Sequence, residues 1–248
     1  MITIKSKSEI EKMRLAGRIT GDVLKEIEKH IKPGISTKQL DKIAHNYIVS
    51  KGATPSFLNY NGFPGSICAS RNDEVVHGIP SKDIVLKEGD IISVDVGAYI
   101  DGFHGDAART FAVGEISDEA KRLIEVTKQS FFEGIKKAVH GAKLGDVSAT
   151  IQEYVESNGF SVVRKLVGHG IGRSLHEDPN VPNYGKAGKG VKLAAGMTLA
   201  IEPMVNAGEY DVCVLDDDWT VVTEDGSLSA HYENTILITK DGCEILTL

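Results

Sequence analysis

The chain has 248 residues, 41% hydrophobic and 25% charged, which are the proportions of a folded globular protein rather than a disordered or fibrous one. The net charge is −7, and no basic stripe alternates with aromatic residues, so we expect no nucleic-acid substrate. No apolar run approaches the ~20 residues that span a bilayer, and the first residues lack a signal-peptide pattern. Three widely spaced cysteines indicate a reducing compartment. The sequence therefore predicts a cytoplasmic protein with no membrane partner.

Apolar residues at helical spacing predict two helices at the start of the chain. A capping box at Ser8–Glu11 is expected to begin the first, over about residues 7 to 31, which ends at a Pro33-Gly34 break. Ser36 begins the second helix, which ends before Gly52.

Two segments rich in β-formers follow. Residues 90–96 and 104–113 flank an Asp101-Gly102 turn signal, a combination that is typical of a β-hairpin. The first part of the chain is therefore expected to contain two helices followed by strands.

The same order recurs later in the chain: an acidic helix start at residues 117–119, a break at Gly141 and a shorter helix that ends at residues 158–159. A shift of 107 residues superposes six pairs: Gly34 and Gly141, Leu40 and Val147, Tyr47 and Tyr154, Gly52 and Gly159, Gly89 and Gly196, and Asp95 and Glu202. Coincidence would explain single matches, whereas the shared order favours a duplication. We therefore expect one domain, residues 1–248, with pseudo-symmetric halves of about 1–113 and 114–248.

Four acidic residues lie on or beside apolar β segments: Asp95, Asp106, Glu202 and Glu233. A buried carboxylate without a partner is costly, so each needs a cation or hydrogen bonds. For Asp95 alone, backbone hydrogen bonds at a strand end are an equally good explanation. Four such acids cannot all ionise in one cavity without cations, and together they predict a metal site, with more than one ion.

Histidine narrows the type of metal. His169 lies in the glycine-rich segment 168–172, which is expected to form a bend, and His176 and His77 offer further imidazoles. Carboxylates with an imidazole suit Mn, Fe, Co or Zn, whereas an all-oxygen site suits Mg or Ca. His169 by itself would also fit an exposed or capping role. The other five histidines are interpreted as surface or packing residues: His30, His45, His104, His140 and His231. Of these, His104 and His231 each precede a proposed ligand by two positions and therefore share its strand face.

The ordered series of these residues, with the contexts Gly168–Gly172, His176-Glu177 and Glu202-Pro203, closely resembles type I methionine aminopeptidase. The resemblance covers essentially the whole chain. It implies the α/β (α+β) "pita-bread" fold, a pseudo-twofold arrangement in which a curved, mostly antiparallel sheet is covered by two helix pairs. The short interval between Asp106 and His169 leaves no room for the extra helical subdomain of type II enzymes.

The resemblance implies two divalent metal ions, whose identity among Mn, Fe, Co and Zn stays open. Asp95 would chelate one ion, Asp106 and Glu233 would bridge both, and His169 with Glu202 would complete the other. Glu202 would also act as the general base that takes the proton of the attacking water.

The resemblance further assigns residues to the substrate. His176 would steady the scissile carbonyl oxygen, and His77 would lie near the scissile amide nitrogen. The methionine side chain would contact Tyr60, Phe63, Cys68 and Trp219. Phe57, Phe63 and Leu175 depart from the residues common in the family, so the width of the pocket stays open.

The implied activity is removal of the initiator methionine from nascent proteins whose second residue is small. Its partners would be nascent N-termini, with the ribosome as a candidate contact, and the duplicated chain is expected to be a monomer. Two alternatives remain. One is a proline-specific peptidase of the same fold, whose known members carry an additional N-terminal domain, and the other is a non-catalytic binding protein on this fold.

Overall fold

The computed structural model describes all 248 residues. It contains four α-helices: α1 (Lys7–Glu28), α2 (Thr37–Ser50), α3 (Asp118–Ile135) and α4 (Leu144–Ser157). A 3₁₀ turn lies at Tyr60–Gly62. None of the helices combines the length and the apolar character needed to cross a membrane.

The remaining regular structure is β, and every strand pair is antiparallel, as predicted. The strands are β1 (Thr54–Pro55), β2 (Ile67–Arg71), β3 (Glu74–Val76), β4 (Ile91–Ile100), β5 (Phe103–Ala112), β6 (Ser161–Val162), β7 (Gly168–Gly170), β8 (Glu177–Val181), β9 (Thr198–Ile201), β10 (Met204–Asn206), β11 (Val212–Val214), β12 (Val221–Thr223), β13 (Ser229–His231), β14 (Asn234–Ile238) and β15 (Cys243–Ile245). Hydrogen bonding divides them into four sheets, of which the largest has the order β15-β14-β9-β7-β8. The predicted hairpin is β4–β5, longer than expected.

The two ends of α1 differ from the sequence prediction. The helix is capped by Ser6 rather than Ser8, because the Ser6 hydroxyl accepts the Glu9 N–H while the Glu9 carboxylate accepts the Ser6 N–H at 2.8 Å. Both serines match the capping-box spacing, and Ser6 has the extended backbone that a cap requires. The helix ends at Glu28, since the following N–H groups of His30 and Ile31 bond three residues back, as in a tighter turn.

Helices α1 and α2 pack against one part of the core and α3 and α4 against another, and the turn between the two helices of each pair makes the same backbone contact. The N–H of Gly34 donates to the Leu86 carbonyl at 2.8 Å, and the N–H of Gly141 donates to the Leu193 carbonyl at 2.9 Å. Both glycines are left-handed, with φ of 90° and 93°. The isolated antiparallel bridges beside them are also 107 residues apart: Ser36 with Val85, and Lys143 with Lys192.

Strand β5 runs beside the start of β14. Ala108 and Glu233 exchange backbone hydrogen bonds of 2.9 and 3.4 Å. The Thr235 hydroxyl accepts the Asp106 N–H at 3.0 Å and donates to the Asp106 carbonyl at 2.9 Å. These bonds hold the segments of Asp106 and Glu233 beside each other, and both side chains are buried.

Candidate active site

All residues predicted to form the site line a single cavity of about 280 Å³. The eleven are His77, His176, Tyr60, Phe63, Cys68, Trp219, Asp95, Asp106, His169, Glu202 and Glu233. Phe57 and Leu175, where the chain departs from the family pattern, line it too. The cavity combines a cluster of titratable side chains with an apolar wall.

Two of the carboxylates come from the β4–β5 hairpin. Asp95 is opposite Ala108, and Asp106 is opposite Gly97, so the two acids are diagonal neighbours across the ladder. The two carboxyl groups affect each other's pKa: the interaction favours ionisation of Asp95 and disfavours that of Asp106. The other two carboxylates, Glu202 and Glu233, lie just after β9 and just before β14, which pair with each other.

His169 lies on β7, a strand where the sequence predicted a bend. Its flanking glycines allow β7 to fit between β8 and β9, because a Cβ at Gly168 would lie 2.4 Å from the Ala200 carbonyl oxygen. The Nδ1–H of His169 donates to the Gly170 carbonyl at 2.8 Å, which leaves the Nε2 lone pair free. Nε2 lies 3.7 Å from Asp106 Oδ2 and 3.6 Å from Glu202 Oε1.

Burial shifts the pKa values of the carboxyl and imidazole groups in the cluster and so determines which of them are charged. It raises the pKa of Asp95 to about 7, and burial together with the neighbouring carboxylates raises the pKa of Asp106, Glu202 and Glu233 well above the usual range. Burial also lowers the pKa of His169 to about 3, so its imidazole is neutral at physiological pH. Without cations the carboxyl groups hold protons, and a bound cation would displace those protons.

The donor atoms fit a divalent metal. Asp95 Oδ1, Asp106 Oδ1 and Glu233 Oε1 are buried without any hydrogen-bond partner in the protein. Ligand atoms of Asp106, His169 and Glu233 all lie within 4.8 Å of one another. Carboxylate oxygens with a neutral imidazole nitrogen are the donors that Mn, Fe, Co and Zn accept.

His231 also belongs to this cluster, so the interpretation of it as a surface or packing residue is wrong. Its side chain is only 1% exposed, and Nε2 lies 3.9 Å from Glu202 Oε2 and 3.8 Å from Glu233 Oε2. Burial lowers its pKa to about 3. The signal was present in the sequence, since His231 lies two positions before Glu233. His104, the other such histidine, instead bonds the Ser56 hydroxyl at 2.9 Å.

The opposite wall of the cavity is aromatic and apolar. The Phe63 and Trp219 rings form an edge-to-face pair with centroids 5.1 Å apart. The Tyr60 hydroxyl hydrogen-bonds Nδ1 of His176 at 2.8 Å. Cys68 is buried beside the acids, and burial raises the pKa of its thiol well above the usual value.

His77 lies beside this wall, with its ring centroid 6.5 Å from that of Trp219. Its backbone is in the left-handed conformation, with φ of 61°. Such a conformation is uncommon outside glycine and marks functional segments. Five further lining residues were not predicted: Asn61, Val76, Leu166, Val167 and Met204. Most are apolar, and nothing in their spacing distinguishes them from ordinary core residues.

The clustered acids predict an unusual pH dependence of stability. The histidines with lowered pKa values are neutral when folded and at most half protonated when unfolded above about pH 6.5, so each then adds no more than about 0.4 kcal/mol and the carboxyl groups dominate. Carboxyls with raised pKa values bind more protons when folded than when unfolded, so stability falls as pH rises. The expected loss is about 1.4 kcal/mol per pH unit for each carboxyl still protonated.

Urea unfolding of chelator-treated protein at pH 6.5 and 8.5 measures this loss. Metal-replete protein is the control and should lose less stability over the same interval, because the cation replaces the protons. A chelated protein that keeps or gains stability from pH 6.5 to 8.5 would contradict the prediction.

Comparisons with known proteins identify the family of the chain. Residues 11–240 match the model of metallopeptidase family M24. Methionine aminopeptidase from Clostridium acetobutylicum is 62% identical over 100% of this chain and 99% of its own, and methionine aminopeptidase 1 from Bacillus subtilis is 56% identical over 100% and 99%. The structure of methionine aminopeptidase from Rickettsia prowazekii matches with a TM-score of 0.98 at 48% identity, covering all of both chains. The resemblance and the predicted fold are thereby confirmed. The chain belongs to metallopeptidase family M24 and, within it, to the methionine aminopeptidases.

Proposed function

We propose that this protein hydrolyses the first peptide bond of polypeptides that begin with methionine and carry a small second residue. The observation that carries the proposal is the juxtaposition, in one cavity of about 280 Å³, of the carboxylate–imidazole cluster and the aromatic wall. The cluster supplies hydrolytic chemistry, and the wall supplies a pocket for one unbranched apolar side chain.

Asp95, Asp106, His169, Glu202 and Glu233 would hold two divalent metal ions. When bound, such ions lower the pKa of a water molecule and polarise the scissile carbonyl. The ion could be Mn, Fe, Co or Zn, because all accept these donors and availability selects among them. Activity measured with each metal under anaerobic conditions identifies the one that works best.

Glu202, His176 and His77 would bind the substrate or transfer its protons, and Tyr60 would orient His176. Glu202 accepts the proton of the attacking water and delivers it towards the leaving amine. His176 steadies the carbonyl oxygen: with Tyr60 donating to Nδ1, the His176 proton is on Nε2, which can donate. His77 lies near the scissile amide nitrogen, at the aromatic end of the cavity.

The aromatic wall would receive the methionine side chain. Phe63 and Trp219 offer ring edges to the thioether, an attraction of about 0.3–1.5 kcal/mol that depends on shape. Cys68 is buried beside the cluster and remains a thiol, so it contributes packing rather than charge.

We further propose that residues 1–248 act as one catalytic domain of two similar halves, as a cytoplasmic monomer that acts on nascent N-termini, at the ribosome or after release from it. The matched hydrogen bonds of Gly34 and Gly141 support the two halves. The first half supplies Asp95 and Asp106, and the second supplies the other metal-binding residues.

The function is tested by incubating the protein with Met-Ala-Ser and measuring free methionine before and after thorough chelation. We expect release that chelation abolishes and added metal restores. Full activity of the metal-free protein would contradict the proposal. Preference for an Xaa-Pro dipeptide over Met-Ala-Ser would favour a proline-specific peptidase. If protein purified without added metal salts contains no metal and shows no activity, a binding role is favoured instead.

A further inference from the structure

His231 is the only histidine here whose two ring nitrogens are both buried without a hydrogen-bond partner. The other histidines near the hairpin differ, since His169 bonds the Gly170 carbonyl and His104 bonds Ser56. Leaving a buried donor and acceptor unpaired is costly, and such groups call for an unseen partner. The roles described so far leave His231 without one.

The backbone fixes this side chain in place. The Thr110 hydroxyl accepts the His231 N–H at 2.8 Å and donates to the His231 carbonyl at 3.0 Å, and His231 is opposite Met204 on the neighbouring strand. These bonds hold the backbone of His231 beside the cluster, and its side chain, which is only 1% exposed, has little space to turn towards another partner.

The side chains around it are carboxylates. Ligand atoms of Asp95, His231 and Glu233 lie within 4.8 Å of one another, and Nε2 is nearly equidistant from Glu202 and Glu233, at 3.9 and 3.8 Å. These separations are too long for hydrogen bonds. They suit donors around a common ion, each at the ~2.0–2.2 Å bond length of zinc with nitrogen or carboxylate oxygen.

We propose that His231 is a further metal ligand, which adds an imidazole nitrogen to the carboxylates on the Asp95–Glu233 side of the centre. The inference rests on the proposed metal-dependent function and extends the donor set beyond the five residues assigned above. His231 lines a second cavity, of about 360 Å³, rather than the one that contains the acids, and both of its ring nitrogens are buried.

An added nitrogen donor changes metal preference. Imidazole suits Co, Zn and Fe better than Mn, which prefers oxygen. His231→Gln keeps a polar side chain of similar reach but replaces the nitrogen donor with an amide oxygen. We expect it to weaken Co(II) binding at least about tenfold in equilibrium dialysis and to change Mn(II) binding much less.

Coordination itself is read by proton NMR of the protein loaded anaerobically with excess Co(II), where only imidazoles bound to the ion give strongly shifted ring N–H signals. We expect two such signals, from His169 and His231, and one in His231→Gln. His45→Gln is the matched control, because His45 bonds Ser66 outside the cavity, and it should keep both signals.

A single shifted imidazole in the unaltered protein would overturn the inference whether or not the variant folds. Two signals that persist in His231→Gln, or an unchanged Co(II) affinity, would do the same. One imidazole signal together with methionine release from Met-Ala-Ser would leave the proposed function intact. Two imidazole signals without any release would support the ligand and count against the function.

Discussion

Replacing Asp106 with alanine is expected to abolish metal-dependent release of methionine. Asp106 is buried, interacts with the Asp95 carboxyl group, and has an oxygen 3.7 Å from His169 Nε2, so it would contact both sides of the proposed metal centre. Bound metal contributes several kcal/mol of transition-state stabilisation, so losing a shared ligand should lower kcat/KM by about 10³-fold or more. Metal content and initial rates with Met-Ala-Ser measure the two effects.

Asp41→Asn is the matched control for that variant. Asp41 is also a buried aspartate, but it lies on α2, outside the cavity, and accepts the N–H of Ser66 at 2.7 Å. This substitution should lower the free energy of unfolding without changing metal content or kcat. Activity of Asp106→Ala within tenfold of the unaltered protein would exclude a central role for Asp106.

Glu202→Gln should have the second largest effect, and it should act mainly on kcat. Glutamine keeps an oxygen that can bind an ion but cannot accept the proton of the attacking water. General acid–base groups contribute about 10²–10⁴-fold, so kcat should fall by that factor while KM changes only a few-fold. Steady-state kinetics at saturating metal separate the two parameters.

Glu244→Gln is the control for loss of a glutamate charge. Glu244 lies on β15 and pairs with Arg14, away from the cavity, so its substitution should leave kcat unchanged. If Glu202→Gln keeps kcat within tenfold at saturating metal, a group other than Glu202 must accept the proton.

Elements defined by local patterns were well predicted from the sequence. Helix α2 begins after Ser36 as expected, because its capping box with Gln39 is a local signal. The Asp101-Gly102 turn set the β4–β5 register, and that register makes Asp95 and Asp106 diagonal neighbours. Where two local signals compete, as Ser6 and Ser8 do, only the folded chain shows which one is used.

Tertiary features were harder to predict. His231 was interpreted as a surface or packing residue: its position two residues before Glu233 was a local signal, but Glu202 and Asp95, which complete the group around it, are distant in the sequence. Residues 168–170 of the segment that was expected to bend form a strand, since the neighbours that need the space left by Gly168 come from β8 and β9. Both errors arise where pairing between distant strands, rather than local propensity, decides the structure.

The backbone contact between Ala108 and Glu233 has a consequence for how the protein unfolds. Asp95 and Asp106 lie in the first of the two proposed halves and His169, Glu202 and Glu233 in the second, so neither would carry the proposed donor set alone. A bound ion would therefore cross-link the halves without a covalent bond, and their separation and metal release would be one event. Metal loading then stabilises the whole molecule, by RT ln(1 + [L]/Kd), rather than one loop.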